Sequence, residues 1–543
     1  MYLPGASWTI LGAWLVVGVA FAGVGAFVRR AWHAPIAGAD DWLASFWLGW
    51  AATLYALQLW QVVLPVDGRA LALVAAAGLA GIVTAGTAPW RVVARGVRRR
   101  WPAVVALVVV ALWLANRALG GAQNGDSGLY HVPTIRWVAE HRLVLGLGNL
   151  SVFFADNQSY FLYAALVDVG PFVHGGHHVA NALLLLVLAA RVLLAIDRVA
   201  RTRAAAPEDI FFALLLPTVA ALAFDINLTS PSPDLVVFVL GVVLGGALIA
   251  LGRRPARADV LALAVVATAA ITVKLSLAAL AAATLLVALV PRRLRDVPAV
   301  GGIVALGLVP WIGRGILLSG YPVYPSTLGA MPVAWRVPET VVREASGAIL
   351  VSQAVPGWWW QAVRNPAWLV RWLDSLEWLQ RAVLVPVAIA IGAGLVAAIR
   401  RPRGRVPASI LVPPLASFVF CLVTAPRPRF AGAALWVLAA EAVLLALGTD
   451  ARARSRRLVL AGALVLALLP FLDGRPGLRR LSGFEPQPHA RVGELRLESG
   501  LVVRVPTVAD SCWDAPPPCA PHPDPRLRLR RAGDLESGFL LAD

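Results

Sequence analysis

The sequence predicts an all-α polytopic membrane protein with about fourteen transmembrane helices, interfacial helices in its outer loops and a small β-rich C-terminal tail. Of its 543 residues, 59% are apolar and only 14% are charged, whereas soluble globular proteins carry about 25% charged residues. The apolar residues form runs close to the roughly 20 residues that a helix needs to cross a bilayer. Three cysteines and few polar tracts exclude a disulfide scaffold and an intrinsically disordered chain.

Each apolar run predicts a crossing, and the arginines at its ends decide the ambiguous segments. We interpret 158–173 as an interfacial helix, because a crossing there would move the next arginine cluster to the other side. We interpret 259–290 as two short helices with a turn near Lys274, because a basic cluster lies at each end. The predicted crossings are 7–28, 43–64, 70–88, 101–119, 178–197, 209–224, 234–251, 259–273, 275–290, 298–318, 382–399, 407–425, 431–448 and 457–472.

The positive charge of the chain indicates orientation. A formal net charge of +18 and a pI near 11.2 would suggest nucleic acid as the partner of a soluble protein. Here the arginines lie in short junctions such as 91–100, 253–257 and 400–405, and basic junctions mark the cytoplasmic side. An outer N-terminus places all these clusters inside. We therefore predict no nucleic-acid partner and two termini on the outer side.

This topology divides the chain into three parts. Residues 1–119 form an N-terminal four-helix membrane segment, and 473–543 form a module on the outer side. Between them, 120–472 form a membrane core with two large outer loops, at 120–177 and 319–381.

The C-terminal module is polar and proline-rich, with alternating apolar residues that predict short strands. Cys512 and Cys519 lie in this module. Because the outer compartment is oxidising, we expect a disulfide between them. The alternative, a metal pair, lacks further ligands nearby.

The first outer loop contains Asp126, Tyr130 and His131 in the segment Asn-Gly-Asp-Ser-Gly-Leu-Tyr-His. In one interpretation Asp126 caps the following helix. In the other, its carboxylate accepts a proton from a hydroxyl at the mouth of the bundle. Further aspartates in the outer segments are candidates for a second acid or a metal ligand, with helix capping as the alternative: Asp156, Asp225 and Asp234.

Lys274 is the only lysine among 48 basic side chains. A lysine at the bilayer centre costs about 3 kcal/mol. Either its ammonium meets a phosphate in the headgroup zone or it extends to the interface. Arg427 and Arg429 lie in another outer turn, where guanidinium groups suit phosphate oxygens or simply face solvent.

The third outer segment is the loop 319–381, which follows the loop 120–177 and the short outer turn 225–233. It begins with Tyr321 and Tyr324, in Gly-Tyr-Pro-Val-Tyr-Pro, and is rich in tryptophan. Indoles at this depth indicate an aromatic belt or a surface that stacks on sugars. The tryptophans are Trp335, Trp358, Trp359, Trp360, Trp368, Trp372 and Trp378.

These motifs together resemble the GT-C class of polytopic glycosyltransferases, which use polyprenyl-phosphate-linked sugars and include protein mannosyltransferases and the bacterial aminoarabinose transferase. That class has an aspartate in its first large outer loop, followed by juxtamembrane helices, and Asp126 with the predicted helices 133–142 and 158–173 is similar. Thr272-Val-Lys274 resembles a Thr-x-Lys turn of relatives, and the Gly320–Pro325 segment resembles another of their motifs.

Several strings also resemble an uncharacterised bacterial branch related to this class. Three extra helices precede the loop, however, and Ser127 follows Asp126 where an acidic pair is usual, which leaves metal assistance open. The strings are Asp126-Ser-Gly-Leu-Tyr-His131, Gly146-Leu-Gly-Asn-Leu150, Ser230-Pro-Ser-Pro-Asp234, Ala425-Pro-Arg-Pro-Arg-Phe430 and Cys512-Trp-Asp-Ala followed by Pro-Cys519.

The resemblance implies an enzyme of the bacterial inner membrane that moves a sugar from a polyprenyl-phosphate donor to an acceptor on the outer face, with no covalently bound cofactor. Asp126 would act as general base. The lipid phosphate would contact Lys274, Arg427 and Arg429, and the acceptor would be oriented by Tyr130, His131, Tyr321 and Tyr324. A transporter or flippase of a lipid-linked glycan is the alternative. It would use the same phosphate contacts without a base.

Overall fold

The structure is a computed structural model in which most of the chain is α-helical. It describes residues 5–202, 205–253, 256–290, 295–353, 370, 374, 384–400, 406–448, 453–472 and 483–542. Six of the tryptophans named above, from Trp358 to Trp378, lie outside these residues.

Ten helices occupy the first half of the described chain. They are α1 (Gly5–Ala31), α2 (Ala39–Val63), α3 (Gly68–Ala85), α4 (Ala88–Arg99), α5 (Trp101–Arg117), α6 (Val132–Glu140), α7 (Tyr160–Leu166), α8 (His177–Arg201), α9 (Pro207–Leu214) and α10 (Leu216–Leu222).

Nine more helices follow before the tail. They are α11 (Pro233–Arg253), α12 (Arg257–Val273), α13 (Ala278–Leu289), α14 (Val297–Ser319), α15 (Glu339–Gln353), α16 (Leu384–Arg400), α17 (Val412–Thr424), α18 (Ala434–Leu447) and α19 (Ala453–Leu472).

Among the described helices, five are long and apolar enough to cross a membrane: α1, α3, α8, α11 and α14. Several others are apolar but shorter, including α5, α16 and α18. This fits a mostly α-helical membrane protein, while the number of about fourteen crossings stays a prediction.

Two segments differ from the predicted crossings and interfacial helices. The segment 209–224 is not one helix: α9 ends at Leu214 and α10 begins at Leu216, with Pro217 in its first turn, where a missing N–H does least harm. The segment 158–173 is not one continuous helix either: it contains α7 and a short 3₁₀ turn, Gly170–Phe172. The seven residues of α7 are all buried, and its position at a membrane interface stays a prediction.

The predicted division of 259–290 is confirmed. The backbone of Lys274 is extended, with φ −160° and ψ 130°, which ends α12, and α13 begins four residues later. The first three helices pack at close range through glycine. A Cβ at Gly25 would lie 1.8 Å from the carbonyl oxygen of Ser45, and one at Gly49 equally close to that of Phe21. Such small residues allow helix backbones to touch within a membrane.

The tail contains two antiparallel hairpins. Strand β1 (Val492–Arg496) pairs with β2 (Val502–Pro506), and β3 (Leu527–Arg531) pairs with β4 (Asp534–Leu541). A disulfide joins Cys512 to Cys519, as the sequence predicts.

The tail contacts the first outer loop directly, as two backbone hydrogen bonds show. The N–H of Phe539 donates to the carbonyl of Leu145 at 2.9 Å, and the N–H of Glu485 donates to that of Leu119 at 2.9 Å. A module this small has little core of its own, so these contacts hold it on the membrane core.

Candidate functional site

Asp126 lies immediately before a single π-helical turn, Ser127–His131, which runs into α6. π-Helical turns are rare and often occur at functional sites. Asp126 is half-buried, and its backbone N–H donates to Asn124 Oδ1 at 3.0 Å. Its carboxylate makes no hydrogen bond or ion pair with any residue the structure describes. It does not cap the following turn either. A carboxylate that is not engaged elsewhere is suited to take up a proton.

Trp513 of the tail packs on this turn. The backbone N–H of Trp513 donates to the carbonyl of Gly128 at 3.0 Å. A Cβ at Gly128 would lie 2.2 Å from the indole ring of Trp513. Only glycine fits this approach. The disulfide loop of the tail therefore packs two residues away from Asp126.

Tyr130 lies within electrostatic range of several charged residues. Its ring stacks on Phe153, with centroids 5.3 Å apart and an interplanar angle of 11°. Burial raises the pKa of Tyr130 well above its usual value, the carboxylates of Asp156, Asp126 and Asp234 raise it further, and the guanidinium of Arg429 opposes them. Three acids and one cation therefore act on a single phenol.

His131 is buried beside Tyr130, with ring centroids 4.4 Å apart. Burial lowers the pKa of His131 to about 3, with Asp234 opposing this effect and Lys274 adding to it. The imidazole is therefore neutral at physiological pH. Its Nδ1 is buried and has no hydrogen-bond partner within the described part of the chain.

Lys274 forms an ion pair with Asp234, which lies in the first turn of α11. The two side chains are 17% and 20% exposed. The lysine is therefore not the free ammonium that the phosphate interpretation of the sequence assumes. Buried charges are normally paired, and the break after α12 brings this one to its acid.

Phe430 lies between two cations from different outer turns. The Nζ of Lys274 lies 5.3 Å from the centroid of its ring, and the Cζ of Arg429 lies 4.7 Å from it. Both distances fall in the cation–π range. Arg427 contributes backbone contacts in the same turn, where its carbonyl accepts from the N–H of Phe430 at 3.0 Å and from the thiol of Cys421 at 3.4 Å.

The cationic cluster is defined here as Lys274, Arg429 and Phe430, together with Asp234. Tyr130 lies within electrostatic range of Asp234 and Arg429, and His131 within range of Asp234 and Lys274. Asp126 is linked to this cluster through Tyr130, on which its carboxylate also acts.

Asp156 borders the same cluster on another side. It is half-buried, and its carboxylate makes neither a hydrogen bond nor an ion pair with the residues described. Burial raises the pKa of Asp156 to about 7, and Lys274 acts against that shift. Carboxyl groups with a pKa near neutrality are suited to acid–base chemistry.

Of the two tyrosines from the third outer segment, one lies near this acid. Burial raises the pKa of Tyr324, and the Asp156 carboxylate raises it further. The hydroxyl of Tyr324 is buried without a partner in the described structure. Tyr321 is instead a structural residue, fully buried with its hydroxyl donating to the carbonyl of Val337 at 3.0 Å.

Asp156 also lines a cavity to which α6 contributes Thr134 and α7 contributes Leu162. The cavity has a volume of about 30 Å³ and opens to solvent. The lining includes Arg314 of α14, Gln61 of α2 and apolar side chains such as Phe161.

The sequence model of the DUF8201 family, a domain of unknown function, matches residues 8–436 of the chain. The chain belongs to the DUF8201 family. No curated protein and no solved structure matches the chain. In this DUF8201 protein the matched region contains the whole cationic cluster and the cavity lining, whereas the tail with Trp513 lies beyond it.

The sequence of this DUF8201 protein does not show which acids of the site matter most. It gives Asp156 and Asp234 only as two of several candidates, because the pairing of Asp234 with Lys274 depends on how α11 packs against α12. Arg314 did carry a signal, since an arginine inside a predicted crossing points to function. Trp513 carried none, as it reaches Gly128 only through the docked tail.

Trp335, one of the tryptophans of the third outer segment, has a structural contact. Its Nε1 donates to the carbonyl of Ile316 at 3.0 Å. Within the described ranges, no three His, Cys, Asp or Glu side chains are grouped as a metal site.

Proposed function

We propose that this DUF8201 protein is a glycosyltransferase that moves a sugar from a polyprenyl-phosphate-linked donor to an acceptor hydroxyl. One observation carries the proposal: Lys274 and Arg429 both approach the ring of Phe430, and Arg429 acts on the same phenol, Tyr130, as the carboxylate of Asp126, which makes no described contact. Transfer of a sugar from a phosphate ester is promoted by a base that accepts the acceptor's proton and by cations that stabilise the leaving phosphate.

The proposed reaction breaks one bond and forms one. The acceptor oxygen attacks the anomeric carbon of the sugar from the face opposite the phosphate, and a new C–O bond forms with inversion. The bond between the anomeric carbon and the phosphate oxygen breaks, and its electron pair leaves with the polyprenyl phosphate. The proton of the acceptor hydroxyl passes to Asp126.

The cations would act on the leaving phosphate. Its negative charge grows as the bond breaks, so cations fixed in place stabilise the transition state more than the bound donor. Arg429 has no carboxylate partner in the described structure, whereas Lys274 shares its charge with Asp234. We therefore assign the larger share of phosphate stabilisation to Arg429, with Arg427 of the same turn available to assist.

The neutral His131 and the phenol of Tyr130 would orient the acceptor and Asp126. Both follow Asp126 in the same loop, and neither is charged at physiological pH. A neutral imidazole can accept or donate a hydrogen bond without competing for the phosphate. The arginine-rich junctions support a site on the outer face of a bacterial inner membrane, because basic junctions mark the cytoplasmic side.

The direct test uses purified protein in nanodiscs with a polyprenyl-phosphate-linked sugar and a mixture of envelope acceptors. Release of polyprenyl phosphate is measured. Because a general base contributes about 10²–10⁴-fold, Asp126→Asn should lower the rate by that factor. Asp510→Asn, on the exposed surface of the tail, is the matched control and should leave it unchanged. A rate near wild type for Asp126→Asn would exclude Asp126 as the base.

One observation favours the alternative, a transporter or flippase of a lipid-linked glycan. Glu441 lies within α18, is 1% exposed, and has two carboxylate oxygens without a hydrogen-bond partner in the described structure. Acidic groups inside membrane helices often belong to proton pathways. If lipid-linked glycan crosses proteoliposomes in a manner that Glu441→Gln abolishes and Asp126→Asn does not, the transporter takes precedence.

A further inference from the structure

We propose that the cavity beside Asp156 is a second, separate anion site, in which Arg314 binds a carboxylate or phosphate group of a small hydroxyl-bearing molecule. That this molecule is the acceptor rests on the proposed function; that the cavity binds an anion does not.

Arg314 is a buried cation held by neutral groups. It is 5% exposed, its Nε donates to Asn157 Oδ1 at 3.3 Å, and its Nη1 donates to Gln61 Oε1. No carboxylate of the described chain lies within 4.0 Å of the guanidinium. Burying an arginine without a counter-charge is costly, so an anion in the cavity would supply the missing partner.

The guanidinium is also fixed in direction. The side-chain amide of Asn157 donates to the carbonyl of Trp311 at 2.5 Å, and Trp311 Nε1 donates back to the carbonyl of Asn157 at 2.6 Å. The acceptor atom beside Arg314 therefore cannot swing away. Its remaining nitrogen, Nη2, has no partner in the described structure, which leaves one edge of the fork for a ligand.

Two more polar groups in the lining lack partners. Thr134 is 9% exposed, and its hydroxyl makes no hydrogen bond to a described residue; the same holds for Oε1 of Gln158. A buried hydroxyl and an amide oxygen are complementary to the hydroxyl groups of a polar ligand. Within the described residues, the polar atoms of the lining that lack a hydrogen-bond partner thus include Nη2 of Arg314, the hydroxyl of Thr134 and Oε1 of Gln158.

A second arginine in the lining, Arg142, differs from Arg314 because it already has a carboxylate partner. Arg142 is half exposed, and its Nε lies 3.2 Å from a carboxylate oxygen of Glu536 in the tail. Its charge is already compensated. The rest of the wall is largely apolar, with Phe154 and Phe161, so an anion at Arg314 is shielded from water and held more strongly than at the surface.

The position of Asp156 connects this cavity to the proposed reaction. It lines the cavity and also borders the cationic cluster, where Lys274 acts on its carboxylate. A molecule anchored at Arg314 through its anionic group would direct a hydroxyl past Asp156 towards the donor sugar and the proposed base, Asp126. The chemistry of the cavity therefore favours an anionic acceptor, such as a uronic acid or a sugar phosphate.

The test measures binding and needs no turnover. Isothermal titration of wild-type protein in phosphatidylcholine nanodiscs uses glucuronate as probe and glucose as the neutral match. We expect saturable binding of glucuronate and none of glucose, with affinity at least tenfold weaker in Arg314→Gln. Val144→Phe fills the cavity and keeps the arginine, so it should weaken binding even if Arg314→Gln does not fold.

Further arms separate the outcomes. Asp510→Asn, on the exposed surface of the tail, should bind glucuronate like wild type. Because this binding is measured without turnover, a failed transferase assay and a failed anion site are distinguishable. If phosphatidylglycerol in the nanodiscs displaces glucuronate, the anion is a lipid headgroup, which supports the site and changes its source. Equal binding of glucose and glucuronate, no binding of glucuronate by wild type, or unchanged affinity in Val144→Phe would overturn the proposal.

Discussion

The ammonium of Lys274 donates a hydrogen bond to the carboxylate of Asp234, joining the break after α12 to the first turn of α11. Neither side chain is more than 20% exposed. The only lysine of the chain thus holds two helix ends together, and its attraction for a phosphate is reduced by the negative charge of Asp234.

Removing one partner of this pair should destabilise the protein strongly. Lys274→Met or Asp234→Asn leaves a buried charge without its partner, which typically costs about 3–5 kcal/mol. The double variant should cost less than the sum, since it leaves no isolated charge. The free energy of unfolding, measured by SDS titration of the purified protein, gives the coupling energy.

The exposed pair of Arg343 and Glu339 is the matched control. These side chains are 73% and 51% exposed and lie one helical turn apart, so a cycle there should give a coupling below about 1 kcal/mol. Equal coupling energies for the two pairs would show that Lys274 and Asp234 do not form a buried pair.

The helix pattern of this protein follows from its sequence where one polar residue interrupts a long apolar run. The break at Lys274 was predictable because basic clusters at both ends required an even number of passes. The break at Leu215 was not, because no charged residue interrupts the run from 210 to 224. A proline in the next turn ends the helix there, although prolines also occur within membrane helices, as Pro310 does in α14.

The candidate site was predictable in residue type but not in pairing. Asp126, Lys274 and Arg429 stand out because charged groups are rare in this chain and lie in outer turns. Their partners depend on tertiary packing between distant segments. No local pattern indicates that Asp234 would neutralise Lys274 or that Trp513 would cover Gly128, a residue that lies in the first outer loop.

The stability of the protein should depend on pH through Asp156. Its pKa is about 7 in the folded protein against an ordinary 3.8, so the folded state holds this proton more tightly than the unfolded state. Its ionisation therefore destabilises the fold progressively between about pH 4 and 7, and by a constant amount above. Asp156→Asn should raise the free energy of unfolding at pH 8, by at most about 4 kcal/mol, and leave it unchanged near pH 4.

Asp524 provides a control of opposite sign. A hydrogen bond from Arg526 lowers the pKa of Asp524, so its ionisation stabilises the folded state at high pH, and Asp524→Asn should lose a little stability there. The measurement is SDS-induced unfolding across the pH series. An Asp156→Asn variant with the same pH profile as wild type would contradict the raised pKa.

The packing of α1 on α2 should not tolerate a methyl group at its closest point. Gly49→Ala places a Cβ 1.8 Å from the carbonyl oxygen of Phe21, so the helices must separate, which costs about 1–3 kcal/mol. Gly12→Ala, where nothing lies within 4 Å, is the matched control and should be neutral or slightly stabilising. Thermal unfolding in detergent compares the two variants.

The last prediction concerns the docking of the tail on the first outer loop. Gly128→Ala would bring a Cβ to 2.2 Å from the Trp513 indole, so either the ring or the π-helical turn must move. We expect this part of the tail to detach more readily, because it loses its contact with Gly128 and keeps only its neighbouring contacts, such as the hydrogen bond from Arg136 to the carbonyl of Asp514. Limited proteolysis should cleave before the tail at least several-fold faster than in wild type.

Gly125→Ala, three residues earlier with open space around its Cβ, is the matched control for this change and should leave the cleavage rate unaltered. Reduction of the Cys512–Cys519 disulfide frees the loop that presents Trp513, so it should accelerate cleavage in wild type. It should have a smaller effect in Gly128→Ala, where the contact is already lost. If reduction accelerates both proteins equally, the disulfide does not act through the contact between Trp513 and Gly128, and the loop serves only the tail itself.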